Sequence, residues 1–258
     1  MRINMQKIEV LNNIAHESLK VNPRFAAELG DNVATTLTYF PEFSDVQKEY
    51  PILCRKNPEM GEYQAVVFFG FQKDENLFLS DIDPLKQKNL GWNADYVPAV
   101  VARGPFSIGI HREIENGSEK HKAMVHIDMN HPKTSIGDGH SLFLENGGNS
   151  PYLNHISNIL EILNDGIHLT KLMFDAFAKY QLLETVVLDI EFQNQNKLKI
   201  AGFETINIEK LSQLDGEALE DLNKSGFLQA AYFIIASMSN VGKLIDLKNR
   251  KLLAGAVN

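Results

Sequence analysis

Hydrophobic and polar positions along the chain fall into two regimes. Up to residue 130, apolar residues come in short runs rich in β-branched and aromatic side chains: "QAVVFFGF", 64–71, "ADYVPAVVARG", 94–104, and "KAMVHIDM", 122–129. Such runs predict strands. Pro98 has no N–H to give to a ladder, so its segment is expected at an edge or a bulge. Beyond Ser150–Pro151, apolar residues recur at Leu153, Ile156, Leu160, Leu163, Ile167, Phe174 and Phe177. Steps of three and four put them on one face, which predicts a helix over 151–180. Ser150 is its expected N-cap, with Pro151 in the first turn. Gly166 falls in its middle, where a bend or a close contact is expected.

After this helix, "TVVLDIEF", 185–192, and "KLKIAGFETI", 197–206, alternate apolar and polar residues around "NQN". This predicts a hairpin with one wet face. Two short helical pieces follow, the second stopped by Gly226. "LQAAYFIIASMSNVGKLI", 228–245, is apolar nearly all round and is expected as a helix buried against the sheet. The stretch 130–151 is dense in Gly, Asn, Asp, Ser and Pro and reads as a connector. The pattern predicts an α+β fold: a mostly antiparallel sheet, or two small ones, with the long helix and the C-terminal helices packed on one face. All of 1–258 is expected as one domain, strand-rich over 40–130 and helix–hairpin–helices over 151–250.

Composition narrows the function classes. The chain has 258 residues and a net charge of −8, which disfavours nonspecific binding to nucleic acid or anionic lipid. No basic stripe interleaved with aromatics offsets it. Cys54 is the single cysteine, so no intramolecular disulfide forms, which fits a reducing compartment. It flanks the apolar run "YPILC" and reads as a small buried hydrophobe. The N-terminal stretch lacks an uninterrupted apolar core and does not read as a secretory signal. No window reaches about 18 apolar residues, so no membrane span is expected. The expected location is the cytoplasm.

Spread-out motifs carry a resemblance. "HESLKV", 16–21, "PEFSDVQKEYPILCRK", 41–56, and "NLFL", 76–79, lead to "WNADYVPAVVARGPF", 92–106. "HIDMNHP", "SPYLNHISNIL", "AGFETINIEKLSQL" and "SGFLQAAYFIIASMSNVGKLI" follow in order. Together they resemble the bacterial SapC family over nearly the whole chain. The family takes its name from a surface-layer operon. Its members often lie beside genes for TonB-dependent receptors, flavin-dependent halogenase-like proteins and cupin-like oxygenases. The resemblance implies an accessory role in uptake, surface or peptide-modification systems, with a peptide or protein partner. It supplies no catalytic set and no cofactor. Asn93 stands where the family has aspartate.

Two readings of the segment 92–106 compete. In one, Trp92, Tyr96, Pro98, Arg103 and Phe106 line a groove, since aromatics with one arginine make good anchors. In the other, Trp92, Tyr96 and Phe106 fill the core and Arg103 pairs with a buried carboxylate. Glu42 and His16 match family positions. Glu42 reads as a cap or a salt-bridge partner, with Arg103 as candidate cation. The candidate binding residues are therefore Trp92, Tyr96, Arg103, Phe106 and Glu42.

His111, His121, His126, His131 and His140 fall within 30 residues, with Asp128 and Asp138 among them. His126 and Asp128 share a face if the segment is a strand. With His131 they offer a His/Asp/His set for zinc or non-haem iron. No phosphate-binding glycine motif and no Gly-x-Ser-x-Gly elbow is present. Three functions stay open: a non-catalytic binding or accessory protein, a metal-dependent enzyme using His126 and Asp128, and a surface-layer structural component.

Overall fold

A computed structural model describes residues 6–80, 90–115 and 118–256. Residues 1–5 of the N-terminal stretch and the His121 side chain lie outside the described residues. In chain order, β1 (Ile8–Val10), β2 (Lys20–Val21) and β3 (Thr35–Thr38) precede a 3-10 turn, Phe40–Glu42, and one helical turn, α1 (Phe43–Val46). Next come β4 (Ile52–Lys56), β5 (Tyr63–Phe68) and a second helical turn, α2 (Ala99–Ala102). A long hairpin of β6 (Phe106–Glu115) and β7 (Ser118–Asp128) leads to β8 (Thr134–Ser135) and β9 (His140–Ser141). The second half holds α3 (Pro151–Lys179), β10 (Leu183–Glu191) and β11 (Lys197–Ile206). It closes with α4 (Ile208–Ser212), α5 (Gly216–Lys224), α6 (Phe227–Ser237) and α7 (Asn240–Ala256).

Every strand pairing is antiparallel. One sheet runs β10-β11-β4-β5-β3, a second runs β1-β7-β6, and a small third runs β8-β2-β9. β3 and β6 are therefore edge strands. The fold is α+β, with antiparallel sheets, one long helix and C-terminal helices.

α3 joins the sheets. Its 29 residues extend about 43 Å at 1.5 Å per residue. Ser150 caps it as the sequence predicts, its Oγ accepting from the Leu153 N–H at 3.2 Å. The N-terminal half buries Leu153, Ile156, Leu160 and Leu163 against Phe106 and Ile127 of the β6–β7 hairpin. The C-terminal half buries Met173, Phe174 and Phe177 in the cluster of the five-stranded sheet. Each fully buried Leu or Phe there contributes roughly 1.5–3 kcal/mol. Gly166 is a close contact: a Cβ there would stand 2.7 Å from the Tyr39 Cβ. Its bareness lets the Phe40–Glu42 turn lie on α3, where the Phe40 N–H donates to Thr170 Oγ1 at 2.9 Å.

Two elements differ from the pattern-based expectation. The run 94–104 is not a strand. It is a loop ending in α2, and Pro98, rather than marking a sheet edge or bulge, precedes the helical turn, its carbonyl accepting from the Val101 and Ala102 N–H groups. The apolar run 228–245 is not one helix either; it breaks between α6 and α7. Two polar residues fix the break. Ser237 Oγ accepts from the Ile52 N–H at 2.9 Å, and Asn240 donates to the Gln47 carbonyl at 2.8 Å. They tie the helix pair to the start of β4 and to the end of α1 just before it. Alternating or continuous apolarity reports burial, and these positions are decided by what they are buried against.

Candidate functional site

Trp92 is 2% exposed and lies among aromatic rings. Phe69 meets its edge at 5.0 Å, Phe25 at 5.5 Å, and Phe78 stacks on it at 6.2 Å. Its indole N–H donates to Tyr50 Oη at 2.7 Å, and that hydroxyl donates onward to the Tyr96 carbonyl. Gly91, with φ near +106°, brings the segment close to the Phe25 carbonyl, where no Cβ would fit. Phe106 is also fully buried. Both rings hold the segment in place and neither faces solvent.

Glu42 is buried at the end of the turn that follows β3. Oε1 accepts from Thr38 Oγ1 at 2.8 Å and from the Tyr39 N–H at 3.2 Å. Oε2 accepts from Tyr96 Oη and the Ala99 N–H, both at 2.9 Å. Burial raises its pKa, opposed by these four donors. The carboxylate thus staples the start of α2 to the β3 turn. The expected pairing with Arg103 is not formed, because backbone and hydroxyl donors occupy both oxygens.

Arg103 ends α2 half-buried, with Nη1 donating to the Phe106 carbonyl at 2.6 Å. Burial lowers its pKa and nearby Tyr39 opposes the shift. Among the described residues, no carboxylate lies within 4.0 Å of it.

α2 divides two clefts on α3. On one side, a cleft of about 450 Å³ is walled by Phe25, Tyr96, Ala99, Tyr152, Ile156 and Ile159. Burial pushes the Tyr152 hydroxyl up to about 12, and His140 stacks on its ring at 5.0 Å. On the other side, a cleft of about 420 Å³ is bounded by Arg103, the edge strand β6 and the residues at the end of β3. A third, of about 590 Å³, lies further along α3 beside Tyr63 and Phe174.

Among the described residues, the histidines form one pair, His111 with His126, and no larger cluster. His126 lies over Gly109, where any Cβ would strike its ring, and its Nε2 stands 2.8 Å from Nε2 of His111. Asp128 instead accepts from the Lys7 and Asn130 N–H groups through Oδ1. His131 Nδ1 accepts from the Lys133 N–H, and burial lowers its pKa. The set His126, Asp128 and His131 is spent on turns and a ring pair; among the described residues, no three His, Cys, Asp or Glu side chains form a metal-binding group. His16 is buried against Glu9, its Nε2 3.2 Å from Oε2. Cys54 is fully buried, and burial raises its thiol pKa.

Lys133, Tyr152 and Phe25 escape the sequence reading. Lys133 sits in the connector yet is buried, pairing with Asp31 at 2.9 Å and standing 4.2 Å over the Phe25 ring. A lysine in a turn-rich stretch signals solvent, so nothing local foretells this. Tyr152 was visible as an aromatic in the first turn of the predicted helix.

The SapC family model matches residues 11–244 of the chain. No curated protein and no solved structure matches it. Among the described residues, no helix is long and apolar enough to cross a membrane.

Proposed function

The chain belongs to the SapC family, and from that premise we propose that it is a non-catalytic binding protein, gripping a peptide or protein partner at the cleft between α2 and the first half of α3. The observation that carries the reading is the cleft itself. Its volume of about 450 Å³ falls in the usual range for ligand sites. One wall is the family's most distinctive segment, represented by Tyr96 and Ala99, and the opposite wall is the apolar face of α3. The aromatic and aliphatic lining suits apolar side chains, and aromatics in such a setting act as anchors.

The chemistry of the segment supports gripping over turnover. Glu42 is committed to four donors, and the raised pKa values of Tyr50 and Tyr96, set first by burial, keep both hydroxyls protonated. These groups brace the wall instead of facing a substrate. Partners of the kinds encoded beside family members, a receptor, a halogenase-like protein or a cupin-like oxygenase, are the first to test.

Ile162 lies on the cleft rim, 40% exposed, so Ile162→Glu leaves the core intact. Surface-immobilised chain is expected to bind one of the three partner proteins, and Ile162→Glu to weaken that binding about tenfold. Equal binding by both forms, or none to any partner, contradicts the reading.

A further inference from the structure

The cleft on the far side of α2 raises a separate question. A half-buried guanidinium carries five N–H donors, and a charge taken out of water is ordinarily matched by an anion. Among the described residues, Arg103 makes one hydrogen bond, to a neutral carbonyl. The carboxylate predicted to face it, Glu42, is saturated elsewhere. The described residues that line the cleft beside it, about 420 Å³, include no Asp or Glu, although acids outnumber bases along the chain and the net charge is −8. Its walls are apolar: Leu37, Val100, Ile108, Leu160 and Leu163. Among the described residues, the other polar side chains of the lining are those of Tyr39, Ser107 and Asn164. At the rim, Ile110 and Ile167 are 67% and 59% exposed. Large aliphatic side chains held open beside an apolar cleft suit a ligand that covers them.

We propose that this cleft binds an apolar carboxylate, whose anionic end meets the Arg103 fork while its hydrocarbon body lies between α3 and the β6 edge. Guanidinium and carboxylate match as a planar, two-bond pair, and the pair is strongest where water is thin. A free aliphatic acid and the C-terminus of an apolar peptide present the same chemistry. The site lies across α2 from the Tyr96 cleft and does not depend on it.

The test is calorimetric titration of the full chain with four probes: octanoate, octanamide, N-acetyl-Leu-Leu as the free acid, and its amide. An acid is expected to bind one to one, and its amide about tenfold or more weakly. Binding by octanoate alone assigns a free acid, and by the dipeptide acid alone a peptide terminus; either upholds the site. Arg103→Gln is expected to erase the preference for acid over amide. Should that variant fail to fold, Ile167→Glu, at an exposed position, is expected to weaken the acid more than the amide. Equal affinity for acid and amide, a preference that survives these substitutions, or no binding of either acid at millimolar concentration overturns the proposal.

Discussion

Glu42 concentrates the local energetics of the molecule in one side chain. A buried carboxylate is costly unless its oxygens are filled, and here four donors fill them. Glu42→Gln keeps the shape, but whichever way the amide turns, its NH2 group meets a backbone N–H, of Tyr39 or Ala99, that cannot accept. Leaving a buried N–H unpaired is expected to lower the unfolding free energy in urea by about 2 kcal/mol. The pH dependence has a definite sign. Burial raises the folded pKa above the ordinary 4.5, so the folded chain holds this proton more tightly than the unfolded one. The residue's contribution is greatest below 4.5 and declines as pH rises from there through the higher folded value. Urea titrations across that window are expected to show the decline in the wild type and to lose this component in Glu42→Gln. An unchanged slope contradicts the assignment.

Among the elements, α3 carries the clearest test of packing against propensity. An Ala in a helix interior is ordinarily better than Gly by about 1 kcal/mol. At position 166 the added methyl meets the Tyr39 Cβ at 2.7 Å, an atom fixed close to the backbone. Gly166→Ala is therefore expected to destabilise, by roughly 1–3 kcal/mol as in other overpacked contacts. A rise in melting temperature would show that the Phe40–Glu42 turn does not press on the helix. α3, its Ser150 cap and the β10–β11 hairpin were legible in the sequence because each is specified by its own periodicity and capping. The 94–104 segment misled for the opposite reason. Its apolar residues are buried or half-buried, but Glu42 and Tyr50 impose the loop, and neither is near it in the sequence. The α6–α7 break likewise depends on Ser237 and Asn240 meeting the β4 region, contacts across more than 180 residues.

At the scale of the whole molecule, two hydrophobic clusters draw residues from both halves of the chain, and α3 belongs to both. The α+β class followed from the change of period near residue 150. The candidate site followed only in part. Tyr96 and Arg103 line clefts, whereas Trp92, Phe106 and Glu42 form the frame between them. Sequence alone marks such residues as a group, because frame and cleft wall come from one segment. It does not separate them, since exposure depends on Phe25, Tyr50 and α3, which arrive from elsewhere. The central claim is that this segment is a brace whose flank, not its indole, meets the partner. The chain's single tryptophan allows a direct reading. Acrylamide quenching of Trp92 fluorescence, free and with saturating partner, is expected to show a blue-shifted emission, weakly quenched and the same in both states. A red-shifted, readily quenched emission that the partner protects would place the indole at the contact surface and contradict the account.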